Sequence, residues 1–259
     1  RFDNSKGQTL NIDLDYGRYE NDSKRFQPNR YFNAAEDSLL TETINRFDTP
    51  TDIDIYTIQV DYENDLWGGK MGAGTKFSQV ISDNTFLFYI DENKVPVLSN
   101  RNSNIFNYDE KVYAGYLSFA RPLGKKWAMS AGLRAEQTDA TGDLQAFLPE
   151  LQKPPVVLQY LSLFPNLGLT WQAAPNHAFA LNSGRRINRP DYNVLNPFNN
   201  QISELSYEKG NPGLQPEIVN NLELGYTLDY RYNFKLGYSR TTDQITRLIA
   251  PDKENPLAG

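Results

Sequence analysis

Hydrophobic and polar residues alternate with a period of two through most of the chain. The clearest run places Leu222, Leu224, Tyr226, Leu228 and Tyr230 against Asn221, Glu223, Gly225, Thr227 and Asp229. A strand with that pattern has one apolar and one polar face. Eight further runs read the same way. Nine strands are expected, at about 9–18, 53–63, 70–81, 111–120, 127–136, 160–171, 177–187, 217–230 and 234–247. The alternation slips at Ile55-Tyr56, where apolar positions change parity, and a β-bulge is expected there. Residues 86–90 and 95–98 read as a hairpin around Asp91-Glu92-Asn93-Lys94. Helical periodicity is weak; one short helical turn within a loop is expected at about 33–44.

The connections sort by length. Short turns fall near 64–69, 121–126, 173–176 and 231–233, and long loops near 19–51, 82–110, 138–158 and 188–216. Strict alternation of short and long connections, with strands of about 9–11 residues, is the pattern of a membrane barrel with periplasmic turns. Tyr16, Tyr62, Trp67, Trp127, Trp171, Tyr226 and Tyr230 lie towards strand ends, where interfacial aromatic girdles sit. Nine is an odd count, and an open sheet leaves unpaired backbone in lipid. Each strand with its connection uses about 28 residues, as in a large barrel. The expected fold is therefore all-β: an antiparallel, up-and-down segment of a transmembrane β-barrel.

Composition narrows the function. Among 259 residues there is no cysteine and one histidine, His177, so thiolate and multi-histidine metal sites are excluded. A net charge of -6 does not suit a nucleic-acid binder. Mean hydropathy of -0.62 excludes a helical membrane protein but not a barrel, half of whose strand positions face a polar lumen. No Gly-x-Ser-x-Gly, phosphate-cradling glycine loop or zinc spacing appears, and no carboxylate pair stands out as acid and base. The reading is a non-enzyme without a cofactor.

Four linked motifs carry a resemblance. They are Arg189-Pro190-Asp191-Tyr192, Leu195-Asn196-Pro197-Phe198, Gly210-Asn211-Pro212-Gly213-Leu214-Gln215-Pro216-Glu217 and Glu223-Leu224-Gly225-Tyr226. Leu163-Phe164-Pro165-Asn166-Leu167 and Ser239-Arg240-Thr241-Thr242-Asp243-Gln244-Ile245 flank them. Together they resemble the barrel of TonB-dependent receptors, most closely the outer-membrane β-barrel family common in Bacteroidetes. The specific part covers about residues 160–245. The resemblance implies a barrel of about 22 strands around an N-terminal plug, in the bacterial outer membrane. It implies import of a scarce nutrient (iron chelate, cobalamin, glycan or peptide) with energy relayed by TonB through the plug. A surface lipoprotein is a further possible partner. Residues 1–259 are then expected to be one partial barrel domain, with the plug and closing strands outside it.

Ligand contact is expected on the loops at 19–51, 82–110 and 188–216, since binding residues concentrate on loops held by rigid scaffolds. At the base of the last, where the strand at 177–187 leaves the membrane, Arg185, Arg186 and Arg189 offer guanidinium forks for an anion. Asn199, Asn200, Tyr207 and Lys209 lie between the two proline-rich motifs. Arg134, Glu136, Glu223, Asp229, Lys235 and Asp243 are expected on a wet lumen wall. The Gly-Asn-Pro-Gly-Leu-Gln-Pro-Glu motif is expected to steer the chain into a strand. Two other readings remain open: a soluble all-β module such as a carbohydrate-binding sandwich, and a passive porin or barrel enzyme.

Overall fold

The structure, a computed structural model, describes residues 2–4, 7–92, 94–203 and 206–251, with the side chains of 92, 192, 193 and 199–201 left aside. The strands are β1 (Phe2–Asp3), β2 (Gln8–Phe32), β3 (Leu39–Leu66), β4 (Gly69–Glu92), β5 (Val95–Leu98), β6 (Asn104–Leu123), β7 (Trp127–Ala146), β8 (Val156–Ala174), β9 (His177–Asn188), β10 (Asn199–Ser203), β11 (Ser206–Lys209), β12 (Glu217–Leu228) and β13 (Tyr232–Thr242). One sheet runs β1-β2-β3-β4-β6-β7-β8-β9-β12-β13, every neighbour antiparallel, with β5 paired to the end of β4. The nine long strands are those the alternation predicts. The sheet is open: β2 and β13 lie at its two edges, β2 covered only by the two residues of β1.

Register assigns every side chain to a face, because directly paired residues share one. Leu14 pairs with Ile58, Ile58 with Phe77, Phe77 with Tyr113, Leu117 with Leu133, Leu133 with Pro165, Leu167 with Ser183, Leu181 with Leu224 and Leu224 with Leu236. These residues form one apolar face, and most of its large side chains are exposed. On β8 it runs Leu161, Leu163, Pro165, Leu167, Leu169, Trp171. Ten residues at about 3.3 Å each, tilted about 40°, give a band about 25 Å tall, the height of a barrel's lipid-facing belt. The opposite face carries Asp13, Gln59, Lys76, Ser118, Arg134, Asn166, Asn182 and Glu223 and lines the lumen.

Three expectations are corrected. The regions 19–51, 82–110 and 138–158 are not mainly loops. β2 and β3 stay paired out to Phe32↔Leu39, and β6 and β7 out to Asn104↔Ala146. Polar, broken alternation concealed these extensions. Only 188–216 is a long excursion, and it too contains a helical turn, α1 (Tyr192–Leu195), and the β10–β11 hairpin. The expected helical turn at 33–44 is a tight bend at residues 34–38 followed by strand from Leu39. There is also no bulge at Ile55-Tyr56: Gly17↔Ile55 and Tyr16↔Tyr56 are consecutive rungs of a regular ladder. What changes there is the surroundings. Tyr56, Ile58 and Val60 face outwards within the lipid band, whereas Ile55, Ile53 and Phe47 face inwards above it.

Above the band the inner face becomes the core. Phe106, Tyr108, Ala140 and Leu144 are buried there, with Leu195 of α1 against them and Leu158, Phe198 and Leu214 packed around. A second group, Phe47 and Phe88, lies at centroids 5.0 Å, with Arg25 3.8 Å above the Phe47 ring. The smallest turns are at the opposite end. Trp67 (φ 51°), Asp229 (φ 52°) and Tyr230 (φ 53°) take the left-handed conformation that two-residue hairpins demand. The last of these turns is therefore 229–231, with Tyr230 outside the strand.

Candidate functional site

The excursion after β9 folds into the lumen mouth rather than out over the surface. Its two proline-rich motifs hold each other. Gly210 N–H donates to the Asn196 carbonyl at 2.8 Å, and Asn211 N–H to the Val194 carbonyl at 2.8 Å. A side chain at Gly210 would meet both the Asn196 and Val194 carbonyl oxygens at 2.5 Å, so this crossing requires glycine. Asn196 Oδ1 accepts from Phe198 N–H and Asn211 Oδ1 from Gly213 N–H, the local bonding that lets asparagine set turns. The motif thus shapes the loop, as expected, and it does so by pairing with Leu195-Asn196-Pro197-Phe198. Apolar burial of Leu195, Phe198 and Leu214 then seats the loop on the wall.

The three arginines go to three places. Arg185 is exposed on the outer face, its Nε donating to Asn220 Oδ1 at 2.8 Å. Arg186 is exposed on the inner face, with no hydrogen-bond or ion-pair partner among the described residues. Arg189 crosses two strands to β7, where Nη2 meets Glu136 Oε2 at 2.6 Å and Thr138 Oγ1 at 3.0 Å. The other Glu136 oxygen accepts from Arg134 Nε at 2.5 Å, and the Arg134 guanidinium lies 5.3 Å from the Tyr116 ring centroid. One largely buried carboxylate therefore bridges two guanidiniums and pins the base of the loop. Both its oxygens are occupied. The Arg134 Nη atoms have no hydrogen-bond partner among the described residues, and Arg134 lies on the same inner face as Arg186.

The remaining candidates lie on the small hairpin, where Asn199 pairs with Lys209, Asn200 with Glu208 and Gln201 with Tyr207. The Asn199 and Asn200 side chains lie outside the described residues. Tyr207 is half-buried and Lys209 exposed. Glu208 meets Arg247 at 2.6 Å, so the segment after β13 crosses to this hairpin. Lys153 donates to the Pro197 carbonyl at 3.3 Å, fastening the loop from the β7–β8 side. Desolvation, with the Lys209 charge nearby, holds the Lys153 ammonium below the ordinary lysine range. The structure therefore brings Arg189 to Glu136 but leaves Arg185 and Arg186 on opposite faces. Sequence reasoning assigned Arg134 and Glu136 to the wet wall and missed their link to the loop. Their spacing of two, one rung apart on the polar face, was the available signal; the partner at position 189 was not.

A model of the outer membrane protein beta-barrel family matches residues 1–257. The chain belongs to that family. Its place is the bacterial outer membrane, and the apolar belt is its lipid-facing surface. In sequence, no curated protein matches it. Two solved structures share the fold. The ferric-catecholate import receptor Fiu of E. coli K12 is 15% identical, with a TM-score of 0.60 over 91% of this chain and 38% of that one. The ferric citrate transporter FecA in unliganded form is 13% identical, with a TM-score of 0.57 over 91% of this chain and 32% of that one. The chain thus spans about a third of the length of the solved proteins it resembles. No helix among the described residues is long and apolar enough to cross a membrane, which leaves crossing by strands untouched.

Proposed function

We propose that this chain is the wall and mouth section of a TonB-dependent outer-membrane receptor that captures a scarce nutrient and admits it through the lumen. The observation that carries this reading is the 189–214 excursion. It is folded inwards, seated on an apolar cluster and pinned at Arg189–Glu136. A passive pore gains nothing from such an obstruction; a receptor gains a shaped mouth. The open edges of β2 and β13 support a larger closed barrel of about 22 strands around a plug, since unpaired edges in lipid cost several kcal/mol per group. Binding rather than catalysis is further supported by Glu136, whose oxygens are both engaged by arginine.

The ligand-contacting set is Arg186 with the free fork of Arg134 on the inner wall, and Asn199, Asn200, Tyr207 and Lys209 on the hairpin. Arg185 faces outwards and would serve only at the rim. Iron chelates, cobalamin, glycans and peptides are all nutrients of this kind, and a surface lipoprotein could cover the mouth. The test is uptake by cells carrying the whole receptor, with residues 199–209 replaced by a short Gly-Ser linker. Loss of growth on one nutrient class, equal to that of a strain without TonB, is the expected result. Unchanged uptake of every nutrient tried would remove the proposal.

A further inference from the structure

The turn end of the outer face carries a ribbon of rings crossing five strands. Trp127 and Trp171 stack at 5.3 Å, Trp171 and Phe179 at 5.4 Å, Phe179 and Tyr226 at 4.8 Å, and Tyr226 and Phe234 at 6.0 Å. His177 joins the ribbon through a 2.7 Å hydrogen bond to the Tyr226 hydroxyl. Register places these rings side by side: Trp127↔Trp171, Trp171↔Phe179, Phe179↔Tyr226, Tyr226↔Phe234. Such rings settle at the headgroup level of a bilayer. Immediately beyond them, on the short turns, stand Lys125, Lys126 and Arg231, and Arg121 lies on the outer face beside the first of these turns, level with Met129. Among the described residues none of the four has a carboxylate partner. Arg121 Nε reaches only the Pro122 carbonyl and Lys126 Nζ only the Ala173 carbonyl, each at 3.4 Å.

The opposite end of the same outer face has the reverse charge. Register puts Asp48, Asp52, Asp54, Asp83, Asp109 and Asp139 there. In that region Lys111 is paired with Asp109 at 3.4 Å and Arg46 with Asp91 at 2.7 Å. The chain is acidic overall; on this face Arg185, bonded to Asn220, and Arg240 also lack a carboxylate partner among the described residues, but they stand at the far end, away from the rings.

We propose that this rim binds the phosphate headgroups of anionic phospholipid in the periplasmic leaflet. The rings seat at the boundary between headgroup and acyl chain; Lys125, Lys126 and Arg231 meet phosphate oxygens just beyond, and Arg121 reaches them from beside the ribbon. Direct ammonium and guanidinium contacts to phosphate are charge-assisted. Each cation held near an anionic bilayer surface adds roughly fivefold to its attraction. The partner is lipid rather than an acidic protein because the cations adjoin the lipid-facing ribbon and not the lumen rim, where Lys70 is already paired with Glu63.

The experiment is native mass spectrometry of the whole detergent-purified receptor with equal amounts of phosphatidylglycerol and phosphatidylethanolamine. The wild type should retain phosphatidylglycerol several-fold over phosphatidylethanolamine, and added salt should erase the preference. The combined substitution Arg121→Gln, Lys125→Gln, Lys126→Gln, Arg231→Gln should erase it at low salt. Lys24→Gln with Lys111→Gln, at the other end, should leave it intact. Equal retention of the two lipids by the wild type, or an undiminished preference in the fourfold variant, overturns the proposal. The salt series on the wild type decides the matter even if the fourfold variant fails to fold.

Discussion

Along β3, residues 56–62 and residues 47–55 belong to one ladder, unbroken towards β2 and interrupted towards β4 only at Thr49 and Pro50, yet they turn their apolar side chains in opposite directions. In the lower stretch Tyr56, Ile58 and Val60 face outwards. In the upper one Ile55, Ile53 and Phe47 face inwards, and Phe47 is 3% exposed. β6 and β7 show the same exchange: Leu117 and Leu133 point out, while Phe106 and Leu144 point in, against Leu195. Backbone geometry is alike in both stretches, so the cause is the medium. Lipid outside and water inside favour apolar residues outside; once the strands rise above the bilayer, water lies outside and the apolar residues turn to the loop that fills the mouth. A sheet can thus change which face is its core without any break in pairing.

The contrast can be broken most forcefully at Phe106. Truncation to alanine removes the centre of the upper core and should cost about 3–5 kcal/mol of extracellular-region stability, read by denaturant unfolding in micelles. An equal effect for Leu167→Ala on the lipid face would erase the distinction. Next is charge. Leu167→Arg should cost about 2–4 kcal/mol in a bilayer, and Thr141→Arg, outward-facing above the band, at most about 1 kcal/mol. Equal costs would show that the belt is misplaced. Glu136→Ala leaves two guanidiniums without their bridge, and about 1.5–3 kcal/mol should be lost from the seated loop. Faster proteolysis within 189–216 is the readout, and no change would detach the loop from the wall.

The smallest effect concerns pH. Arg46 donates twice to Asp91, at 2.8 and 2.7 Å, and this bonding holds the Asp91 carboxyl below its ordinary range. A lowered folded-state pKa stabilises above the unfolded value, and that stabilisation fades as pH falls through the folded one. Amide protection in the β4–β5 hairpin should therefore hold at pH 7, diminish below about pH 4, and be already reduced at neutral pH in Asp91→Asn. Protection that is flat across this range in the wild type would show the pair to be idle.

Nine strands, the short turns and the lipid-facing residues were legible because period-two alternation in a membrane strand is enforced at every second position. The extensions were not. Residues such as Glu20 to Arg30 face water on the outside and little that is apolar within, so their sequence carries no alternation to read. The slip at Ile55-Tyr56 was visible and assigned the wrong cause, because a change of parity looks the same whether the backbone bulges or the solvent changes. At the mouth, the Gly-Asn-Pro-Gly motif announced a shaped loop. Its partner motif could not be inferred, since the carbonyls of Val194 and Asn196 that exclude a Cβ at Gly210 are brought there only by folding.

The sequence by itself determined a sheet with an apolar outer belt, aromatic positions at strand ends and connections sorted by length. Each of these is a local demand, set by the medium beside a given residue and by backbone geometry over a few neighbours. Only the tertiary structure decided that Arg189 leaves its two neighbours for Glu136, fifty-three residues away. It alone placed α1 inside the mouth and joined the rings of five strands into a ribbon beside four cations that lack a carboxylate partner among the described residues. These depend on register between strands distant in sequence, and register is settled by the whole ladder rather than by any stretch of it.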